Sequence, residues 1–106
     1  MGSNTYETLH HQLDRRDMIV VRRDDAPESV LSKLAAERCF IIGGGKTYSR
    51  FAPFLTHLYI TPHPFVFGAG IRLFTDPITE LSLRFETMIA VDEIAGIYQY
   101  QYKVQE

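Results

Sequence analysis

Apolar positions fall into three short solid runs followed by two alternating ones, separated by polar or glycine-rich stretches. Met18-Ile19-Val20-Val21 and Cys39-Phe40-Ile41-Ile42 are continuous and rich in β-branched residues, the pattern of strands buried on both faces. Leu58-Tyr59-Ile60-Thr61 is a third strand, ended by Pro62 and Pro64. Residues 83–91 and 97–104 alternate instead. Leu83, Phe85 and Thr87 share one face of the first, and Tyr98, Tyr100 and Tyr102 share one face of the second. Joined around residues 92–96, the two predict a β-hairpin.

Helical spacing fills the intervals. Tyr6, Leu9, His10 and Leu13 form one stripe over residues 3–13, with Ser3 or Asn4 as cap, before a polar turn at 14–17. Residues 24–36 form a second helix with Val30, Leu31, Leu34 and Ala35 as its apolar face. Asp25 and Glu28 stand at capping-box spacing there, and Pro27 suits the first turn. A third helix runs from Lys46 to about residue 55, with Pro53 forcing a kink or early end. Strands linked by helices imply parallel neighbours with right-handed crossovers, and the hairpin adds at least one antiparallel strand. The expected architecture is an α/β mixed sheet flanked by helices, in one domain spanning residues 1–106.

Composition narrows the class. Apolar residues are 45% of the 106 and charged residues 23%, an ordinary globular balance. A net charge of −2 gives no basic field for nucleic acid. No apolar run reaches the length of a membrane span, and the first residues lack the pattern of a secretory signal. The single cysteine, Cys39, reads as a buried reduced thiol in a cytoplasmic protein. His10, His11, His57 and His63 lack metal-ligand spacing and read as surface or structural residues.

The chemistry concentrates where Ile42 gives way to Gly43-Gly44-Gly45-Lys46-Thr47-Tyr48. Glycines let the backbone take unusual angles and let a ligand come close. The unpaired N–H groups of the following helix make that turn an anion seat, suited to a phosphate or pyrophosphate. The spacing fits neither the Rossmann fingerprint nor a Walker loop, and a tight connection with no ligand is the competing reading.

Three stretches in order carry a resemblance to the dihydrofolate reductase family. Ile41-Ile42-Gly43-Gly44-Gly45-Lys46-Thr47-Tyr48-Ser49-Arg50-Phe51-Ala52-Pro53, with Leu58-Tyr59-Ile60-Thr61 after it, resembles the family's strand, Gly-Gly turn, Tyr- and Pro-bearing helix and next strand. Met1-Gly2-Ser3-Asn4-Thr5-Tyr6-Glu7-Thr8-Leu9 resembles its Met-Gly-Arg-x-Thr-x-Glu-Ser-Leu segment. Residues 64–74, with Gly68-Ala69-Gly70 and Leu73-Phe74, are similar to the reductase branch of riboflavin biosynthesis, the C-terminal domain of the bifunctional deaminase/reductase. The resemblance implies a three-layer dihydrofolate-reductase-like sheet, NADPH as cofactor, and hydride transfer to a pterin or ribosylaminopyrimidine-like substrate. It places Gly43, Gly44, Gly45, Lys46 and Thr47 at the pyrophosphate and ribose, and Tyr48 beside the nicotinamide. Gly2, Ser3, Asn4 and Thr5 form a second helix start at the phosphates, and Arg22 and Arg23 meet the adenosine ribose and its 2′-phosphate. Arg22-Arg23-Asp24-Asp25 also reads as a solvated, charge-balanced turn, and Tyr48 as a packing residue.

The pattern departs from the family in two ways. Ser3 replaces its arginine, and Met1 matches the residue that closes an N-terminal strand–helix–strand block. That block supplies the pterin-binding acid, which no residue here inherits. The chain is thus expected to be an N-terminally abbreviated form or a piece of a longer reductase, and to associate as a homodimer, with the tyrosine-rich hairpin as a contact. A non-catalytic oligomeric remnant that binds a nucleotide or other anion is the alternative.

Overall fold

The computed structural model describes residues 1–9, 18–34, 38–66 and 68–105. Two compact units divide the chain: Met1–Ala52 with Ile71–Ile78, and Pro53–Gly70 with Thr79–Glu106.

The first unit holds three short helices: α1 (Ser3–Thr8), α2 (Pro27–Ser32) and α3 (Gly45–Phe51), the last running into a 3-10 turn at Ala52–Phe54. The tightening at Pro53 is the early end that its missing N–H requires. α1 starts from Gly2 and α3 from Gly44, neither with a side-chain cap, so Ser3 and Asn4 are not the caps expected. α2 starts from Ala26, likewise without one. The Asp25 carboxylate instead accepts from the Arg22 N–H at 2.8 Å, closing the preceding turn rather than the helix. The expected helical residues 10–13 and 35–36, and the turn at 14–17, lie outside the described residues. Among the described residues, Val21, Phe51 and Ala52 are the buried apolar ones, and Thr47 and Ser49 are buried polar ones.

Neither apolar run before the glycines forms a strand. Residues 18–21 contribute one parallel bridge, Gly2 with Val21, and residues 38–44 belong to no ladder. A strand needs a bonded neighbour along its length. Met1 and Gly2 bond to Ile19 and Val21 on one side and to Gly43 on the other. Among the described residues, the parallel pairing of the expected sheet is that one bridge. Cys39 is exposed rather than buried, because its run packs into no sheet.

The second unit is a three-stranded antiparallel sheet of order β1-β3-β2: β1 (His57–Ile60), β2 (Ser82–Asp92) and β3 (Ile97–Gln105). The expected hairpin is present, closed by Gly96 at φ +72° and by the Ala95 N–H donating to the Asp92 carboxylate. Register slips between Phe85 and Thr87, so Phe85 lies opposite Tyr102 and Thr87 opposite Gln101. This bulge adds one residue and reverses the alternation, and Thr87 is not on the face of Leu83 and Phe85 as its spacing predicts. Pairing puts Leu58, Ile60, Leu83, Phe85, Met88, Tyr100, Tyr102 and Val104 on one face, and His57, Tyr59, Arg84, Thr87, Ile89, Gln99, Gln101 and Lys103 on the other. The apolar face stays half open: Phe85 is 55% exposed even with its ring edge-on to Tyr102. No helix among the described residues is long and apolar enough to cross a membrane.

Candidate functional site

The backbone of Met1 and Gly2 ties the first unit together. The Met1 nitrogen donates to the Ile19 carbonyl at 3.0 Å, the Val21 N–H donates to the Met1 carbonyl at 2.7 Å, and the Gly2 N–H donates to the Gly43 carbonyl at 2.8 Å. Because Gly2 caps α1 and Gly44 caps α3, that last bond sets the first turns of two helices side by side. The Tyr6 N–H then returns to the Gly2 carbonyl and the Tyr48 N–H to the Gly44 carbonyl.

Each glycine of this corner faces a hydroxyl or the backbone. A Cβ on Gly2 would lie 2.7 Å from the Thr47 hydroxyl oxygen. Gly43, joined to Gly44 by a cis peptide, has φ +120°, and its Cβ would meet Thr5 Oγ1 at 3.4 Å and the Tyr48 hydroxyl at 3.8 Å. A Cβ on Gly44 would meet Thr5 Oγ1 at 3.5 Å. Gly2, Thr5, Gly43, Gly44, Thr47 and Tyr48 are thus brought together. Lys46 is exposed on the first turn of α3. Ser3 is half-buried, and the Asn4 side chain lies outside the described residues.

Gly45 is approached from a direction the sequence did not reveal. Its Cβ would collide with the Thr75 methyl and stand 2.9 Å from the Arg72 carbonyl, and the Thr75 N–H points to the Gly45 carbonyl at 3.4 Å. Residues 72–76 form a strap along α3. Ser49 Oγ accepts from the Asp76 N–H at 3.0 Å and donates to the Gly45 carbonyl at 2.9 Å, and the Phe74 ring meets Tyr48 edge-on at 6.2 Å. The close packing at Gly45 is therefore with the chain itself. The signal for the strap was the residue 64–74 motif, but its place beside α3 is a long-range contact that no local pattern encodes.

Arg22 and Arg23 are exposed on the turn after Val21. Among the described residues, no hydrogen bond or ion pair joins their side chains to the glycine corner. What links that turn to α3 is Arg50, whose Nη1 donates to the Arg22 carbonyl at 3.1 Å and whose Nη2 donates to the Asp25 carbonyl. Burial pushes the Tyr48 phenol above its ordinary pKa of 10.0, so it stays a neutral hydrogen-bond donor.

A family model for dihydrofolate reductase matches residues 1–64. The chain belongs to the dihydrofolate reductase family. A search of curated proteins found no match. The family match takes in the Met1-Gly2 segment, the glycine turn and α3, and it stops where residues 65–74 begin. In this family member the two matched segments at 1–5 and 43–48 meet through the Gly2–Gly43 bond. Neither segment holds a carboxylate, so backbone N–H groups, hydroxyls and Lys46 make a corner compatible with an anion.

Two outcomes are expected. Gly45→Ala destabilises the protein by about 1–3 kcal/mol in denaturant unfolding, because the strap backbone must move. Gly45→Ala with Thr75→Ser recovers part of that loss, while Gly70→Ala, with open space around it, stays within about 0.5 kcal/mol. Second, the folded state holds the Tyr48 proton more tightly than the unfolded chain does. Its effect on stability is absent below pH 10.0 and becomes a loss as pH rises through the raised folded value. Tyr48→Phe therefore shows a shallower alkaline decline in unfolding free energy than the wild type.

Proposed function

We propose that this family member is a single dihydrofolate-reductase-like domain that binds NADPH and belongs to a reductase acting by hydride transfer on a small heterocycle, a pterin or a ribosylaminopyrimidine-like compound. The observation that carries the reading is the Gly2–Gly43 bond, which joins two segments inside the family match that the resemblance assigns to the cofactor. Gly2, Ser3, Asn4 and Thr5 on one side, and Gly43, Gly44, Gly45, Lys46 and Thr47 on the other, would hold the diphosphate and adjoining ribose, with Tyr48 at the nicotinamide end. Bound there, the nicotinamide supplies the hydride; the protein contributes position and electrostatics. The uncapped first turns of α1 and α3 offer N–H groups that no capping side chain occupies. Arg22 and Arg23 would face the 2′-phosphate and favour NADPH over NADH.

The riboflavin-type branch is the more specific assignment. It rests on the strap, since Arg72, in the segment similar to that branch, and Thr75 just after that segment pack on Gly45. An exposed Cys39 thiol suits a reducing cytoplasm. The second reading, an anion-binding module without turnover, is favoured by one observation: protein atoms already fill the space beside Gly45. NADPH titration followed by nucleotide fluorescence decides the cofactor. Saturation at micromolar concentrations is expected, and no binding at millimolar NADPH rejects it. Steady NADPH oxidation with a pterin or a ribosylaminopyrimidine then separates the reductase from the module.

The partner we infer is a second copy of the chain, packed on the apolar sheet face. Leu83, Phe85 and Met88 are exposed there, while the opposite face is mixed, with Arg84, Gln99, Gln101 and Lys103 beside the exposed Tyr59 and Ile89. Sedimentation is expected to give a dimer, and Phe85→Glu a monomer with unchanged secondary structure. A wild-type monomer at high concentration rejects the pairing.

A further inference from the structure

We propose that Arg50 is a positioning residue for cofactor choice: it holds the turn at residues 22–25 so that Arg22 and Arg23 stand ready for a 2′-phosphate. The inference rests on the NADPH reading above and adds to it a residue that contacts no cofactor.

The turn is closed from inside before Arg50 reaches it. The Asp25 N–H donates to the Arg22 carbonyl at 3.0 Å, and the Arg22 N–H donates to the Asp25 carboxylate at 2.8 Å. These bonds fix the backbone of Arg22-Arg23-Asp24-Asp25 and occupy one of its two carboxylates. They do not fix where the turn sits on the protein.

Arg50 does that. It is half-buried in the last turn of α3, and its two terminal nitrogens donate to two carbonyls three residues apart, those of Arg22 and Asp25. A planar fork spans two such acceptors, whereas a lysine ammonium holds one at a time. The C-terminal end of the helix also favours a cation at that position. The Arg22 carbonyl thus receives two donors, and both exposed arginine side chains extend from a turn anchored at both ends.

α3 is seven residues long, roughly 10 Å from end to end at 1.5 Å per residue. Its first end is the glycine turn and its last end is Arg50. One rigid element therefore sets the spacing between the proposed diphosphate seat and the arginine turn. A cofactor that carries a 2′-phosphate senses that spacing, and one without it does not.

The experiment measures dissociation constants for NADPH and NADH by nucleotide fluorescence, with melting temperature alongside, for wild type, Arg22→Gln, Arg50→Gln, Arg50→Lys and the double variant Arg22→Gln/Arg50→Gln. The wild type is expected to prefer NADPH by roughly tenfold or more, the size of a charge-assisted contact. Arg50→Gln loses most of that preference by weakening NADPH alone, with NADH changed by less than about twofold. Arg50→Lys restores little of it. The double variant loses less than the sum of the two single losses, because Arg50 acts partly through Arg22. Equal weakening of both cofactors in Arg50→Gln, or an unchanged NADPH-to-NADH ratio, overturns the positioning role alone. A wild type that binds neither cofactor overturns the cofactor reading and this inference with it.

Discussion

The first unit depends on the hydrogen bonds that Met1 and Gly2 make to either side. Toward residues 19–21 run the bonds of the Met1 nitrogen and carbonyl; toward Gly43 runs the Gly2 N–H. Val21 and Gly43 are buried, and a buried N–H or C=O left unpaired costs about 1–3 kcal/mol. The Gly2 bond also fixes geometry. The residue that donates to Gly43 is the one from which α1 departs, so the same bond that joins the segments aligns two helix starts. No bulky residue at position 2 fits, since Thr47 lies where its Cβ would go.

Local chemistry was legible wherever a residue needs only its sequence neighbours. The hairpin, its shared tyrosine face, Pro27 at the start of α2 and the early end of α3 at Pro53 all follow from turn residues, alternation and a missing N–H. What failed needed distant partners. Residues 18–21 and 39–42 have the composition of buried strands, yet strand formation is decided by what pairs alongside, and among the described residues that pairing is one bridge, Gly2 with Val21. Asp25 had the spacing of a capping box, but an earlier N–H, that of Arg22, competed for its carboxylate and won. Thr87 was assigned a face by counting in twos, and one bulged residue undoes such counting.

The glycine turn divides the same way. Its position between an apolar run and a helix was readable, and so was its pairing with the Met1-Gly2 segment once the family resemblance was recognised. The reason for each glycine was not. Gly43 is needed for its backbone angle, Gly2 for the Thr47 hydroxyl, and Gly45 for a strap almost thirty residues downstream. A glycine-rich turn viewed as a ligand cradle is therefore overdetermined here: the chain's own packing accounts for two of these residues, leaving the Gly43–Gly44 backbone and the first-turn N–H groups for the anion site proposed above.

α3 gathers these strands of argument because so much hangs on so few residues. Ser49 ties it to Asp76, Tyr48 packs on Phe74, Gly45 admits Thr75 and Arg50 reaches the turn at 22–25. Thr47, Ser49 and Phe51 are its buried positions, so both polar and apolar sides are engaged. A seven-residue helix is far too short to persist alone in water. Its stability comes from these attachments, and each attachment is also a constraint on a loop. The helix that orders the glycine corner consequently orders the strap and the arginine turn, and loss of any one attachment loosens the element that positions the rest. Charge reinforces the arrangement: α3 has no acidic residue, Lys46 stands at its start and Arg50 at its end, so an anion approaching either end meets a cation. The sheet of the second unit has no comparable centre, since its apolar side chains remain half open along Phe85 and Met88. Order in the first unit comes from hydrogen bonds to a few backbone groups, and order in the second from its ladders.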